Sequence, residues 1–140
     1  TLLIPEQNDS DIELHEQCQW ISEHLGVDVP LHFSAFHPDW KMLNTPRTPA
    51  ETLTRARDIA HQYGLHYVYT GNVHDKVGSS TYCPNCASLL IERDWYVLGH
   101  WGLADNGHCK KCGHEILGYF QDKPGDWGAQ RMPVKIMGTL

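Results

Sequence analysis

The chain has 140 residues, 41% of them hydrophobic, and a net charge of −6 at pH 7. This length allows one medium-sized domain or two small ones, with enough apolar content for a folded core. The acidic balance argues against a nucleic-acid surface, which normally needs a basic face. The longest apolar runs are far too short for a membrane span, and no signal peptide is recognisable. We therefore expect a cytoplasmic protein that contacts neither nucleic acid nor membrane.

Predicted strands alternate with predicted helices in the N-terminal half. Apolar runs at residues 1–4, 29–36 and 66–70 predict buried strands, and periodic apolar residues between them predict two helices. Each helix begins at a capping box, has one apolar stripe and ends at a glycine. The signal residues are Ser10, Glu13, Leu14, Cys18, Ile21, Leu25 and Gly26 for the first helix, and Thr48, Pro49, Glu51, Leu53, Ala56, Ile59, Ala60, Tyr63 and Gly64 for the second.

This alternation predicts the α/β fold class, with a βαβαβ unit over residues 1–77 and a parallel sheet. Three strands are few for such a sheet. The first, at residues 1–4, would have an unpaired edge unless another strand lay beside it. We therefore expect the C-terminal portion of a larger, partial (β/α) barrel. If the earlier strands are missing, the open edge predicts a dimer.

Polar loops follow all three predicted strands, at residues 6–9, 37–42 and 71–74. Ligands of barrels and open α/β sheets bind beyond these strand ends, and alternation also places His32 and Ser34 together on one sheet face. Each loop residue has an ordinary alternative, which is to shape a turn or cap the loop. The candidates for a ligand-facing set are Asn8, Asp9, His37, Asp39, Asn72 and His74.

Two CxxC pairs, Cys83 with Cys86 and Cys109 with Cys112, lie 22 residues apart in the C-terminal half. This spacing predicts a four-cysteine metal site and favours a metal over disulfides. Four thiolates suit structural Zn²⁺, because no coordination position is left for water, although a single iron could occupy the same cage. His108 and His114 flank the second pair as weaker candidate ligands, and Cys18 is expected to be buried.

Residues 78–121 are predicted to form a small all-β zinc ribbon, with a hairpin of residues 88–91 and 95–98 through residues 92–94 and a third strand at 116–120. Its apolar content is modest, so it should need the metal to fold.

Gly113 follows the second cysteine pair where a positive φ is useful, and Ala87 has the matching place after the first. Residues 122–140 form a tail, with a predicted turn at 122–125 and a short strand at 134–137.

Several motifs resemble radical S-adenosylmethionine enzymes of the pyruvate formate-lyase-activating type, in the AmmeMemoRadiSam-system group. They are Leu3-Ile4-Pro5 with Asn8-Asp9-Ser10-Asp11, the run from His32 to Met42, and Tyr67 to Val73 leading into Tyr82-Cys83-Pro84-Asn85-Cys86. The resemblance covers roughly residues 1–120. It implies a partial (β/α) barrel in which a CxxxCxxC motif holds a [4Fe-4S] cluster. That cluster cleaves S-adenosylmethionine reductively, and the resulting radical abstracts hydrogen from a substrate.

By this resemblance the cofactor-binding residues would be Ile4, Pro5, Asn8, His37 and Asn72, with Ile4 and Pro5 near the adenine. The implied partners are the N-terminal remainder of the barrel and Memo-like proteins.

The chain departs from the family pattern twice: Glu6 stands where the family has glycine, and no CxxxCxxC is present. The leading hypothesis is therefore a fragment of a radical SAM enzyme that is inactive alone. The alternative is a free-standing zinc-ribbon module that binds a protein partner. The substrate cannot be read from these residues.

Overall fold

The computed structural model describes residues 1–121 and 123–131. The elements in chain order are β1 (Leu2–Leu3), α1 (Asp11–His24), β2 (Leu31–Ala35), α2 (Ala50–Gln62), β3 (Val68–Gly71), α3 (Lys76–Ser79), β4 (Thr81–Tyr82), β5 (Leu89–Asp94) and β6 (Val97–Trp101). The strand predicted at 134–137 lies outside the described residues, as does Asp122 of the predicted turn. In the described part of the chain, no helix has the length and apolar composition needed to cross a membrane.

The first sheet is parallel, in the order β1-β2-β3, which confirms the predicted βαβαβ unit. Apolar side chains of its strands form one buried cluster with residues of both α1 and α2. Because strand side chains alternate between faces, membership of this one cluster places both helices on the same face of the sheet. We call residues 1–75 the α/β half.

The opposite face of this sheet carries His32 and Ser34, as the alternation predicts. The exposed His32 ring lies 4.9 Å from the ring of Tyr69 on the neighbouring strand, centroid to centroid. Leu2 of β1 is 46% exposed. This face is therefore only partly covered.

Helix α1 begins as predicted. The Ser10 hydroxyl accepts a hydrogen bond from the Glu13 backbone N–H and donates one to the Glu13 carboxylate. Cys18 is buried, and Gly26 has a φ of 89° after the helix end. Leu25, however, is 52% exposed, because the helix has ended and the chain turns away at this residue. The predicted stripe is therefore one residue too long.

Thr48 does not cap helix α2. The helix begins at Ala50, with Pro49 at the N-cap position and no side-chain cap. The Thr48 hydroxyl instead donates to the Leu3 carbonyl (2.6 Å) and accepts from the Phe36 N–H (2.9 Å). The extended backbone at Pro49 carries Thr48 to the buried ends of β1 and β2, where backbone groups need polar partners.

The second sheet is antiparallel, in the order β4-β5-β6. The sequence correctly predicted a hairpin here but placed its turn at the wrong residues. Strand β5 continues through residues 92–94, and the turn is formed by Trp95 and Tyr96. Trp95 takes a φ of 53°, which produces the turn without a glycine. Arg93 stays in the strand because its N–H donates to the Ser80 hydroxyl.

The third strand of this sheet is β4 and not residues 116–120, which form no strand. Ile116 is nevertheless buried, and its N–H donates to the Gly107 carbonyl. The ribbon was predicted to begin at residue 78, which lies inside helix α3. We call residues 76–121 the cysteine module.

The cysteine module rests on strand β3. Tyr67 is a buried member of the module's apolar cluster, and Tyr69 packs against that cluster. The Tyr69 and Thr81 hydroxyls are 3.0 Å apart, and the Arg93 guanidinium donates to Thr81 Oγ1. An ion pair of Lys76 and Glu92, 2.8 Å between Nζ and Oε1, lies within the module. The two parts therefore share side chains across β3.

Candidate metal centre

The four predicted cysteines converge on one point. All four Sγ atoms lie within 4.8 Å of one another, with Cys83 and Cys112 at 3.6 Å and Cys86 and Cys109 at 3.8 Å. A tetrahedral ion with metal–sulfur bonds of about 2.3 Å has sulfur–sulfur edges of about 3.8 Å. Two of the sulfur–sulfur distances match this edge and all lie within 4.8 Å, so the arrangement suits a four-thiolate cage, and no pair is joined as a disulfide.

The two CxxC turns have the same backbone hydrogen bonds. In the first, the Cys83 N–H donates to the Ser88 carbonyl and the Ala87 N–H to the Cys83 carbonyl, both at 2.9 Å. In the second, the Cys109 N–H donates to the His114 carbonyl and the Gly113 N–H to the Cys109 carbonyl, both at 2.8 Å. Each turn thus fixes its own pair of sulfurs on one side of the backbone.

Both turns require a left-handed residue at their fifth position. Gly113 has a φ of 74° and Ala87 a φ of 55°. Glycine reaches this region freely, whereas alanine is strained in it. The prediction that the two positions match is confirmed, and the strain is carried by the first turn alone.

Ser88 is a polar neighbour of the cage. Its Oγ lies 3.1 Å from Cys86 Sγ and 3.4 Å from Cys109 Sγ. The Ser88 hydroxyl lowers the pKa of Cys109 to about 6 and also lowers the pKa of Cys86. Burial, in contrast, raises the pKa of Cys83 to about 11. A cation beside Cys83 would offset this cost of burial and favour its thiolate.

The side chains of His108 and His114 are not part of the four-cysteine cluster. The cysteines are the one group of three or more His, Cys, Asp or Glu residues with converging ligand atoms in residues 1–121 and 123–131. His108 Nδ1 donates to the Asn106 carbonyl, 3.1 Å away, and His114 is exposed, contributing its backbone carbonyl. Neither histidine replaces a cysteine.

The candidate cofactor residues of β1 shape their own loop. Asn8 Oδ1 accepts from the Ile4 N–H at 2.7 Å, and Asn8 Nδ2 donates to the Leu2 carbonyl at 3.0 Å. Pro5 is buried directly after the strand. Glu6 has a φ of 64°, and its N–H donates to the Asp9 carboxylate at 2.8 Å. The loop backbone at Glu6 therefore adopts the conformation that glycine favours.

The candidates after β2 and β3 also bond to backbone. His37 is exposed, and its Nδ1 donates to the Pro38 carbonyl at 2.9 Å. Asn72, with a φ of 59°, donates through Nδ2 to the Ala35 carbonyl at 3.2 Å, which ties the ends of β2 and β3 together. His74 pairs with Asp94 of the cysteine module at 3.0 Å.

Sequence reasoning missed Ser88, Tyr67 and Tyr69. A hydroxyl two residues after a cysteine pair was a usable signal for Ser88, since thiolates are commonly hydrogen-bonded. The tyrosines looked like ordinary strand residues. Their contact with the cysteine module depends on how the two sheets meet, which no local pattern contains.

The chain is thus a mixed α/β protein with small sheets and a four-cysteine cluster that could hold a metal ion such as zinc. It is 45% identical over 116 residues to an uncharacterized protein of Methanocaldococcus jannaschii, MJ0808. That stretch is 82% of this chain but 35% of the relative, so the chain spans about a third of the relative's length. No protein-family model matches the chain, and no solved structure matches it.

Proposed function

We propose that the four cysteines bind one Zn²⁺ ion as a structural site, and that residues 78–121 work as a zinc ribbon. The main support is that four Sγ atoms converge from two turns with the same backbone hydrogen bonds. With four protein ligands the coordination is complete, so the ion would stabilise the fold and would not activate water. Tetrahedral four-sulfur sites take zinc or iron, and we propose zinc because a closed four-cysteine cage of two CxxC turns is typical of structural zinc.

Elemental analysis of the purified chain tests this proposal. We expect about one zinc per chain, from the single four-thiolate cage. Cys109→Ser should abolish stoichiometric zinc, whereas Cys18→Ala should leave it unchanged, because Cys18 is buried in the α/β half. A folded, metal-free chain with disulfides between the cysteines would refute the assignment, and iron in place of zinc would refute the metal identity.

For the longer protein of which this chain would be part, we propose a radical SAM enzyme of the pyruvate formate-lyase-activating type. Three observations support it. The parallel order β1-β2-β3 with both helices on one face is the order that a (β/α) barrel would require. Glu6, where the family has glycine, adopts a φ of 64°. The relative from M. jannaschii is also far longer than this chain.

In this proposal the chain alone is catalytically silent. The [4Fe-4S] cluster would supply the electron that cleaves S-adenosylmethionine, and its CxxxCxxC ligands are not among these residues. Ile4, Pro5, Asn8, His37 and Asn72 would line the cofactor side of the barrel. Their hydrogen bonds hold the three strand-end loops, so their part would be to position the backbone of the pocket.

The coding sequence upstream of Thr1 is the direct test. A CxxxCxxC motif there, together with iron, sulfide and S-adenosylmethionine cleavage in the longer protein purified without oxygen, would support the proposal. A start codon immediately before Thr1 would defeat it. The partners in this proposal are the N-terminal barrel strands and Memo-like proteins.

A free-standing zinc-ribbon module that binds a protein partner is the second candidate. The aromatic hairpin turn favours it, because Trp95 and Tyr96 are 60% and 68% exposed. This candidate predicts that the chain is complete without other strands and is monomeric. The barrel proposal predicts that the open edge at β1 pairs with a second copy, so light scattering should find dimers or larger species. A monomer at high concentration would favour the module.

A further inference from the structure

A cleft of about 430 Å³ lies between helix α2, strand β3 and the first cysteine turn. Tyr67, Val68 and Tyr69 all line it. Successive strand side chains point to opposite faces, so a cavity that touches all three runs along the edge of the strand. In the described part of the chain, β3 is the terminal strand of its sheet, so no further strand pairs with this edge.

Arg57 provides the positive charge of the cleft. Its Nε donates to the Val68 carbonyl at 3.2 Å, and its guanidinium carbon lies 5.9 Å from the centre of the Tyr82 ring. No carboxylate in residues 1–121 and 123–131 forms an ion pair with it, although the chain carries a net charge of −6. Its two Nη atoms form the fork that matches a carboxylate or a phosphate.

Two histidines belong to the polar lining, which also includes Ser80 and Thr81. His61 Nδ1 donates to the Leu65 carbonyl at 3.0 Å, and burial, followed by nearby Arg57, lowers the pKa of His61. The neutral ring then presents Nε2 as an acceptor. His66 bonds through Nδ1 to Asp28, which itself does not line the cleft. The cleft thus contains an arginine and two imidazoles but no carboxylate.

The apolar part of the lining includes Tyr82, Val77 and Pro84. Tyr67 also lines the cleft but is only 7% exposed, and the Tyr69 ring lies against His32 and the Arg93 guanidinium, so Tyr82 is the aromatic wall beside Arg57. Ligand pockets of about 300–1,000 Å³ typically combine such walls with a few polar groups that orient the ligand. Flat rings of a ligand pack well against tyrosine faces.

We propose that this cleft binds a small aromatic anion. Its carboxylate or phosphate would pair with the Arg57 guanidinium, and its ring would pack against Tyr82, Val77 and Pro84. The site depends neither on the barrel proposal nor on the metal's identity, and it lies along the edge of β3, away from the loops at the strand ends.

Titration of the zinc-loaded 140-residue chain with phenyl phosphate, followed by ¹H–¹⁵N NMR, tests the proposal. We expect saturable shifts at residues 57–69 and 80–87, with a Kd on the order of 1 mM or below, about −4 kcal/mol. Inorganic phosphate, which lacks the ring, and benzyl alcohol, which lacks the charge, should each bind at least about tenfold more weakly. Equal binding of inorganic phosphate, or no saturable shift with phenyl phosphate, would overturn it.

Matched variants locate the site. Arg57→Gln should weaken phenyl phosphate binding at least about tenfold, and Arg57→Lys should restore part of it, because only the fork is lost. Arg55→Gln is the control, since Arg55 lies on the same helix but pairs with Asp11 outside the cleft. If Arg57→Gln fails to fold, Tyr82→Leu provides the equivalent test by removing a ring wall. Unchanged affinity in a folded variant would contradict the proposal.

Discussion

The two parts of this molecule are held together by different means. Among the described residues, the apolar cluster of the α/β half has thirteen buried members, drawn from both helices, all three strands and Leu65. The cluster of the cysteine module has seven among the same residues, of which two belong to the four-cysteine cluster and one, Tyr67, comes from the α/β half. The difference teaches that a small module with few buried apolar residues depends on other sources of stability, which here would be a metal ion at the four cysteines and the surface of the neighbouring α/β half.

Removal of the metal should have the largest effect on stability. It should unfold the cysteine module and leave the α/β half folded. Structural zinc contributes about 10–16 kcal/mol of apparent binding free energy in small zinc peptides, so a chelator should unfold the cysteine module. The α/β half should keep its helices, because its core does not include the cage. Hydrogen exchange measured by NMR would check this, with protection lost at β4 to β6 and kept at α1 and α2. Simultaneous loss throughout the chain would show that the two parts do not separate.

Leu53→Ala should have the opposite effect, destabilising the α/β half and leaving the metal site unchanged. Leu53 is fully buried in helix α2, and a large-to-small change in a core costs about 2–5 kcal/mol. Urea unfolding of the α/β half should report this loss. Zinc stoichiometry should stay at one per folded chain, because Leu53 does not belong to the cysteine cluster. Thr54→Ala, at an exposed neighbouring position, is the matched control.

Ser88→Ala should weaken the metal site and leave the α/β half unaffected. The hydroxyl contacts Cys86 and Cys109, and loss of such an outer partner typically lowers metal affinity about 10–100-fold. Competition with a chromophoric zinc chelator would measure the change. Ser88→Thr, which keeps the hydroxyl, should retain most of the affinity. Equal affinity of Ser88→Ala and the parent chain would contradict the assigned role.

Thr48→Val should destabilise the α/β half by about 1–3 kcal/mol, because the Leu3 carbonyl and the Phe36 N–H lose their short bonds to the hydroxyl and keep only the 3.3 Å bond to each other. Thr48→Ser keeps the hydroxyl and should cost less. Chemical unfolding of both variants would measure the difference. If Thr48 served only as a helix cap, Thr48→Val would lower the free energy of unfolding by only about 1 kcal/mol, the usual cost of losing an N-cap.

The two cysteine turns allow the smallest and sharpest comparison. Ala87→Gly should relieve left-handed strain and stabilise the metal-bound module by up to about 1 kcal/mol. Gly113→Ala should destabilise it by about the same amount. The added Cβ at Gly113 would meet nothing within 4 Å, so the cost would be conformational. Thermal unfolding of the zinc-loaded variants would measure both, and effects of the same sign would contradict the assigned symmetry.

Local signals accounted for most of the α/β half. The Ser10 capping box and the positive φ of Gly26 and Gly64 lie where the sequence predicts helix boundaries, because both depend on neighbouring residues. Thr48 shows the limit of this approach. Its spacing to Glu51 suits a cap, but a buried pair of strand ends binds its hydroxyl instead.

In the cysteine module the sequence predicted the ligands but not the framework around them. The hairpin turn moved to Trp95 and Tyr96, and the third strand came from β4. The extension of β5 accompanies contacts outside the hairpin, such as the bond from the Arg93 N–H to Ser80, the residue that follows α3. Partners far along the chain outweighed the local turn pattern.

The sequence by itself determined the α/β class, the C-terminal ends of both helices and the identity of four cysteines that converge. These features follow from periodicity, capping and CxxC spacing, which act over a few residues. Only the tertiary structure decided that Tyr67 belongs to the module's core, that Ser88 contacts the sulfurs, and that Arg57 lines a cleft beside β3. Those roles depend on how two sheets pack, because packing brings together residues whose separation in sequence carries no signal.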